Sequence, residues 1–150
     1  NSTGYDNTAI GYGTLDSSTT GYYNTAIGRD SLQTLTTGRQ NVAVGYRSGY
    51  SNDGFSNTFI GYQSGYLNTG ARNIFIGQEA GYNETGSDKL YIEPTNSATP
   101  LIGGDFSANS LTFNGSVLAK NTSDGTAAFQ VQNAAGTINL SICRGYEHLR

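Results

Sequence analysis

An asparagine, followed three places later by isoleucine or valine and then by glycine, recurs along this chain at almost constant intervals. The asparagines are Asn7, Asn24, Asn41, Asn57 and Asn73, with Lys89 in register after them, at steps of 17, 17, 16, 16 and 16 residues. The aliphatic series is Ile10, Ile27, Val44, Ile60, Ile76 and Ile92. Glycine follows it at Gly11, Gly28, Gly45, Gly61 and Gly77, and Glu93 stands in the last copy. A second glycine series, Gly4, Gly21, Gly38, Gly54, Gly70 and Gly86, lies three places before each asparagine position. A unit this short cannot enclose a core alone, so each copy has to stack on its neighbours.

Each copy contains a short segment of alternating side chains, such as "NTAIG" or "NIFIG". Residues two apart share a face of a strand. One face carries Thr8/Ile10, Thr25/Ile27, Val42/Val44, Thr58/Ile60, Ile74/Ile76 and Leu90/Ile92; the other carries Ala9, Ala26, Ala43, Phe59, Phe75 and Tyr91. A second short strand is predicted in "GTLDS", "DSLQT", "RSGYS", "QSGYL" and "EAGYN". No stretch has the i, i+3, i+4 apolar spacing of a helix. The predicted fold is all-β: a parallel β-solenoid or β-roll of 16–17-residue coils over residues 1–93. Its aliphatic series is expected to plug the core, and its asparagines to hydrogen-bond along the axis. "NSTG" at residues 1–4 matches "NETG" at 83–86, so the chain is expected to begin inside the pattern.

Both faces of the short strand are largely apolar, yet a coil has one inside. The Ala/Phe/Tyr series, or the column Tyr50, Tyr66 and Tyr82, is therefore expected to meet further copies of the same chain. That points to a cyclic homo-oligomer, taken as three-fold.

Composition agrees with closely spaced strands and turns: 21 glycines, 11 tyrosines, two prolines, and only 13% charged residues. The net charge is −3 and the basic residues are scattered, so no nucleic-acid partner is expected. No apolar run approaches the ~20 residues of a membrane span, so no membrane insertion is expected. A lone Cys143 offers neither a disulfide framework nor a zinc site.

Beyond the repeats, residues 94–143 read as a small β-hairpin module. Asn114-Gly115 is a type I′ turn signal, Asp124-Gly125 marks the next turn, and residues 144–150 form an unpatterned tail.

"NTAIG", "NVAVG", "NTFIG" and "NIFIG" at these steps resemble the head repeats of trimeric autotransporter adhesins. "GYQSGYLNTGARNIFIGQEAGYNETGSDKLYIEPTNSATPLIGGDFSANSLTFNGSV" resembles the shafts of phage tail fibres and surface proteins that often end in an endosialidase-type intramolecular chaperone. The resemblance covers roughly residues 4 to 118. It implies a parallel homotrimeric fibre, extracellular on a virion or a bacterial surface, with a structural and attachment role. The repeat steps are longer than those typical of adhesin heads.

Catalysis needs converging titratable groups, and none are expected here. His148 is the only histidine, and Asp16, Asp30 and Asp53 fall at different places in their repeats. Neither a phosphate loop nor a calcium-binding nonapeptide is present, so no cofactor and no metal is expected. The residues suited to an external ligand are Tyr5, Tyr12, Tyr22, Tyr46 and Tyr62, candidate contacts for a cell-surface glycan. A tyrosine joins a flat apolar ring to a hydroxyl. Glycan recognition through these tyrosines is the alternative function.

Overall fold

The computed structural model describes residues 3–117. It is a β-solenoid of stacked coils. Each coil contributes one three- or four-residue strand: β1 (Thr8–Ile10), β2 (Thr25–Ile27), β3 (Val42–Val44), β4 (Thr58–Ile60), β5 (Ile74–Ile76) and β6 (Lys89–Ile92). These six pair in parallel and in sequence order, with Ile10 beside Ile27, Ala26 beside Ala43 and Phe59 beside Phe75. A single strand forms per coil. The predicted second strand is instead a run of turns, bonded coil to coil by contacts such as Leu32 N–H to Ser48 O and Gly65 N–H to Ala80 O.

The inside and outside of the strand are reversed from the sequence expectation. Ala26, Ala43, Phe59 and Phe75 are fully buried, and Tyr91 packs against them. Ile10, Ile27, Ile60, Ile76 and Ile92 face outward, Ile60 being 40% exposed, and Val44 is half-buried. The physical reason is the width of the coil. Only the middle residue of each short strand points inward, and the interior beside it is already occupied by the asparagines and by small residues of the turn segment.

Two coil types share that interior. In the longer coils Leu15, Leu32 and Leu35 are buried alongside alanine. In the shorter ones glycine replaces the leucine, at Gly49, Gly65 and Gly81, and an aromatic ring takes the volume. A Cβ added at Gly65 would lie 2.6 Å from Phe59 Cδ1 and Cε1, and one added at Gly81 would lie 2.5 Å from Phe75 Cδ2. Leucine and phenylalanine thus exchange places as core filler, as close packing of an interior requires.

Corners recur as faithfully as strands. The residue before each asparagine position adopts a left-handed backbone: Asp6, Tyr23, Gln40, Ser56, Arg72 and Asp88, with φ from 52° to 65°. Gly28 and Gly45, with φ of 129° and 137°, occupy a region open to glycine alone, and a Cβ added at either would clash with the carbonyl of the equivalent glycine in the next coil. Glu93 stands at this place in the last coil, and there the stacking ends. The chain turns back into β7 (Ile102–Asp105), antiparallel to β6, and then β8 (Ser110–Phe113), antiparallel to β7. The two strands continue the solenoid sheet as a cap.

The second strand of the hairpin expected at Asn114-Gly115 runs into residues outside the described ones. Ser110–Phe113 pairs backwards with β7 through the turn at 106–109. The remainder of the expected 94–143 module, the Asp124-Gly125 turn and the tail, with Cys143 and His148, lie outside the described residues.

Candidate functional site: asparagine rungs, tyrosine columns and a cap cleft

The asparagines form a hydrogen-bonded column inside the solenoid. Asn24, Asn41, Asn57 and Asn73 are buried, and Asn7 is half-buried at the first coil. Each side-chain oxygen accepts the backbone N–H of the next coil: Asn24 N to Asn7 Oδ1 at 2.9 Å, Asn41 N to Asn24 Oδ1 at 3.0 Å, and Asn57 N to Asn41 Oδ1 at 3.0 Å. Asn73 N and Lys89 N continue the series at 2.9 and 2.8 Å. Each amide also donates to a corner glycine carbonyl, as Asn41 Nδ2 does to Gly54 O at 2.9 Å. One side chain therefore satisfies a donor and an acceptor that the corner would otherwise bury unpaired. Buried serines act similarly, Ser48 Oγ donating to Phe59 O and Ser64 Oγ to Phe75 O, both at 3.0 Å.

Tyrosines form outer columns. Tyr50, Tyr66 and Tyr82 stack at centroid distances of 5.0 and 4.9 Å, and the Arg47 guanidinium lies 5.4 Å from the Tyr50 ring. Tyr46 stacks on Tyr62 at 5.4 Å, and Arg29 covers Tyr12 at 5.7 Å. Tyr5 stacks on Tyr22 at 5.0 Å, with Tyr23 set edge-on to both. Arg39 and then Phe55 continue that last column. Burial within the trio, together with the Tyr23 and Tyr22 phenols, pushes the Tyr5 hydroxyl up from its ordinary value. The five tyrosines singled out from sequence thus lie on two columns, and they spend at least one ring face on a neighbour. Tyr12 is the most open, at 79% exposure.

Where the coil length changes, a carboxylate takes over from the backbone. Thr19 and Thr20 N–H both donate to Thr36 O between the two longer coils. At the next junction Asp53 Oδ1 accepts Thr36 N at 2.8 Å, Thr37 N at 2.7 Å and Gly38 N at 3.0 Å, and Oδ2 accepts Thr36 Oγ1 at 2.7 Å. Partial burial alone would raise the Asp53 pKa, but these donors outweigh it and hold the carboxyl below its ordinary value.

The cap joins two residues of the repeat register, Lys89 and Tyr91, to carboxylates that the pattern did not single out, Glu84 and Asp105. Tyr91 rests on Phe75 at a centroid distance of 5.2 Å, and its hydroxyl donates to Glu84 Oε2 at 2.7 Å. Burial first, then the Glu84 carboxylate, pushes the Tyr91 phenol up to about 12. Lys89 Nζ meets Asp105 Oδ2 at 2.6 Å, and Asp105 Oδ1 accepts Ser107 N and Ala108 N at 2.9 and 3.1 Å. The Lys89 ammonium first, then the Ser107 hydroxyl and the Ala108 N–H, hold the Asp105 carboxyl far below the usual range. Two cavities, of about 200 and 360 Å³, share Glu84, Tyr91 and Ala98.

Among the described residues no three or more His, Cys, Asp or Glu side chains are grouped so as to hold a metal ion, and no helix is long and apolar enough to cross a membrane. No protein-family model, curated protein or solved structure matches the chain.

Proposed function

We propose that this chain is a non-catalytic structural and attachment segment of an extracellular filament, assembled as a parallel homotrimer. One observation carries the proposal. The outward face of β1–β6 carries an uncharged aliphatic row, Ile10, Ile27, Val44, Ile60, Ile76 and Ile92, exposed in every coil but that of Val44, where the neighbouring Val42 is exposed instead. Thr8, Thr25 and Thr58 share that face beside the row, and the other surfaces carry tyrosine columns and guanidinium groups. A rod whose polar groups are otherwise satisfied gains nothing from an aliphatic stripe in water, and contiguous apolar patches mark association sites. Parallel copies place equivalent rungs at one height, so β-branched side chains can interdigitate at the ~10 Å separation of packed sheets. The seam therefore follows the aliphatic face. The Ala/Phe/Tyr face expected there from sequence is core. Resemblance of the repeat to adhesin heads and tail-fibre shafts supports the same reading, and with it a location on a virion or bacterial surface.

Electron microscopy of the purified chain tests it. Straight particles of uniform width with three-fold averaged cross-sections are expected. Single-chain particles without that symmetry would overturn the assembly.

A further inference from the structure

We propose that the cleft at the cap of the solenoid binds a neutral saccharide of one or two rings. The proposal rests on the attachment half of the reading above and not on the three-fold assembly, because one chain supplies the whole site.

The cleft exists because the inward column stops abruptly. Phe59, Phe75 and Tyr91 follow one another up the core, but the residue paired with Tyr91 across the sheet is Gly103, and Gly104 is paired with Leu90. Neither glycine brings a side chain of its own; Pro100 packs over Gly103, where an added Cβ would lie 2.9 Å from its Cγ, and Pro100 and Tyr91 line one open cavity of about 360 Å³. That lies at the lower end of the ~300–1,000 Å³ typical of small-ligand sites.

Its lining combines an aromatic ring with hydrogen-bonding groups of both kinds. Glu84 uses one oxygen on the Tyr91 hydroxyl and the other on Gly86 N–H, at 2.7 Å each, and each oxygen retains a second acceptor position. Lys89 spends one of its three donors on Asp105. Ser110 and Thr112, exposed on β8, add hydroxyls that can donate or accept. A pyranose offers the complement, an apolar C–H face for the ring and a rim of hydroxyls for the polar groups. The charges lining the cleft are Glu84, Lys89 and Asp105, one negative charge in excess, so acidic sugars and phosphates are repelled. The outer tyrosine columns lack such convergence, since their rings stack on one another.

Saturation-transfer NMR on the full chain with maltose and N,N′-diacetylchitobiose, against 3′-sialyllactose, tests the proposal. Binding of a neutral disaccharide is expected, at least tenfold weaker for the acidic one, with backbone amide shifts confined to Lys89–Tyr91 and the cap. Thr112→Trp should fill the cleft and weaken binding at least tenfold without moving the thermal transition, while Tyr12→Ala should bind normally. An Ile60→Lys chain that no longer assembles should still bind, which separates this proposal from the trimer. No binding of either neutral sugar, a preference for the acidic one, or shifts at the tyrosine columns instead would overturn it. The shift map decides the matter if Thr112→Trp fails to fold.

Discussion

Asn41 shows what a single side chain does in this fold. Its carbonyl oxygen accepts from Asn57 N and Nδ2, and its amide reaches both Asn24 Oδ1 and Gly54 O. Asn41→Ala removes all of these in a site closed to water. A loss of roughly 1–3 kcal/mol is expected for each buried group left unpaired, measured by denaturant unfolding. Asn83→Ala, at an exposed position, should shift stability by less than about 0.5 kcal/mol. Ser18 gives the opposite sign. Its hydroxyl is the one buried side-chain atom without a hydrogen-bond partner among the described residues. Ser18→Ala should therefore stabilise the chain by up to about 1 kcal/mol.

Asp53 adds a pH dependence at the same scale. Its folded pKa is depressed below the ordinary 3.8 by the threonine and glycine donors. The stabilisation is fully present well above that value and is lost as pH falls through the folded pKa. Thermal melts between about pH 5 and about pH 2, the range over which such a carboxyl titrates, should show a steeper loss in the parent chain than in Asp53→Ala. Parallel curves would remove Asp53 from the junction.

At the scale of the coil, the rule is exchange of volume. Phe59→Ala should cost about 3–5 kcal/mol. Gly65→Leu alone should also be severe, since the new side chain enters the Phe59 ring. Leu15 and Leu32 occupy the same place in the longer coils with φ of 52° and 48°, so the backbone there accepts leucine. The double variant Phe59→Ala/Gly65→Leu should therefore cost at least about 1 kcal/mol less than the two single costs combined, a coupling that a double-mutant cycle resolves. Simple additivity would contradict the exchange.

The same coils explain what could be read in advance. The recurrence of asparagine and glycine gave the solenoid and its register, because each of those residues has one physical reason to recur: a rung or a corner. Alternation then divided the strand into two faces without saying which one is inside. Hydrophobicity favours isoleucine for the interior, yet in so narrow a coil volume decides, and the signal was the change from Ala with Leu to Phe with Gly. The contacts of Lys89 with Asp105 and of Glu84 with Tyr91 were not legible, for a different reason. They come from where the pattern breaks, and their chemistry depends on β7 folding back over β6, a contact that no period encodes.

For the whole molecule, one consequence follows from the reversed faces. Ile60→Lys places a charge on the stripe and should leave the core intact while abolishing association, whereas Phe59→Asp should unfold the adjoining coils by burying an unpaired charge. The most direct test is the mass of the unmodified chain in solution by light scattering coupled to size exclusion. A single species at three times the 15.8 kDa of the chain is expected. A folded, stable species at 15.8 kDa, with the aliphatic stripe open to water, would contradict the three-fold filament.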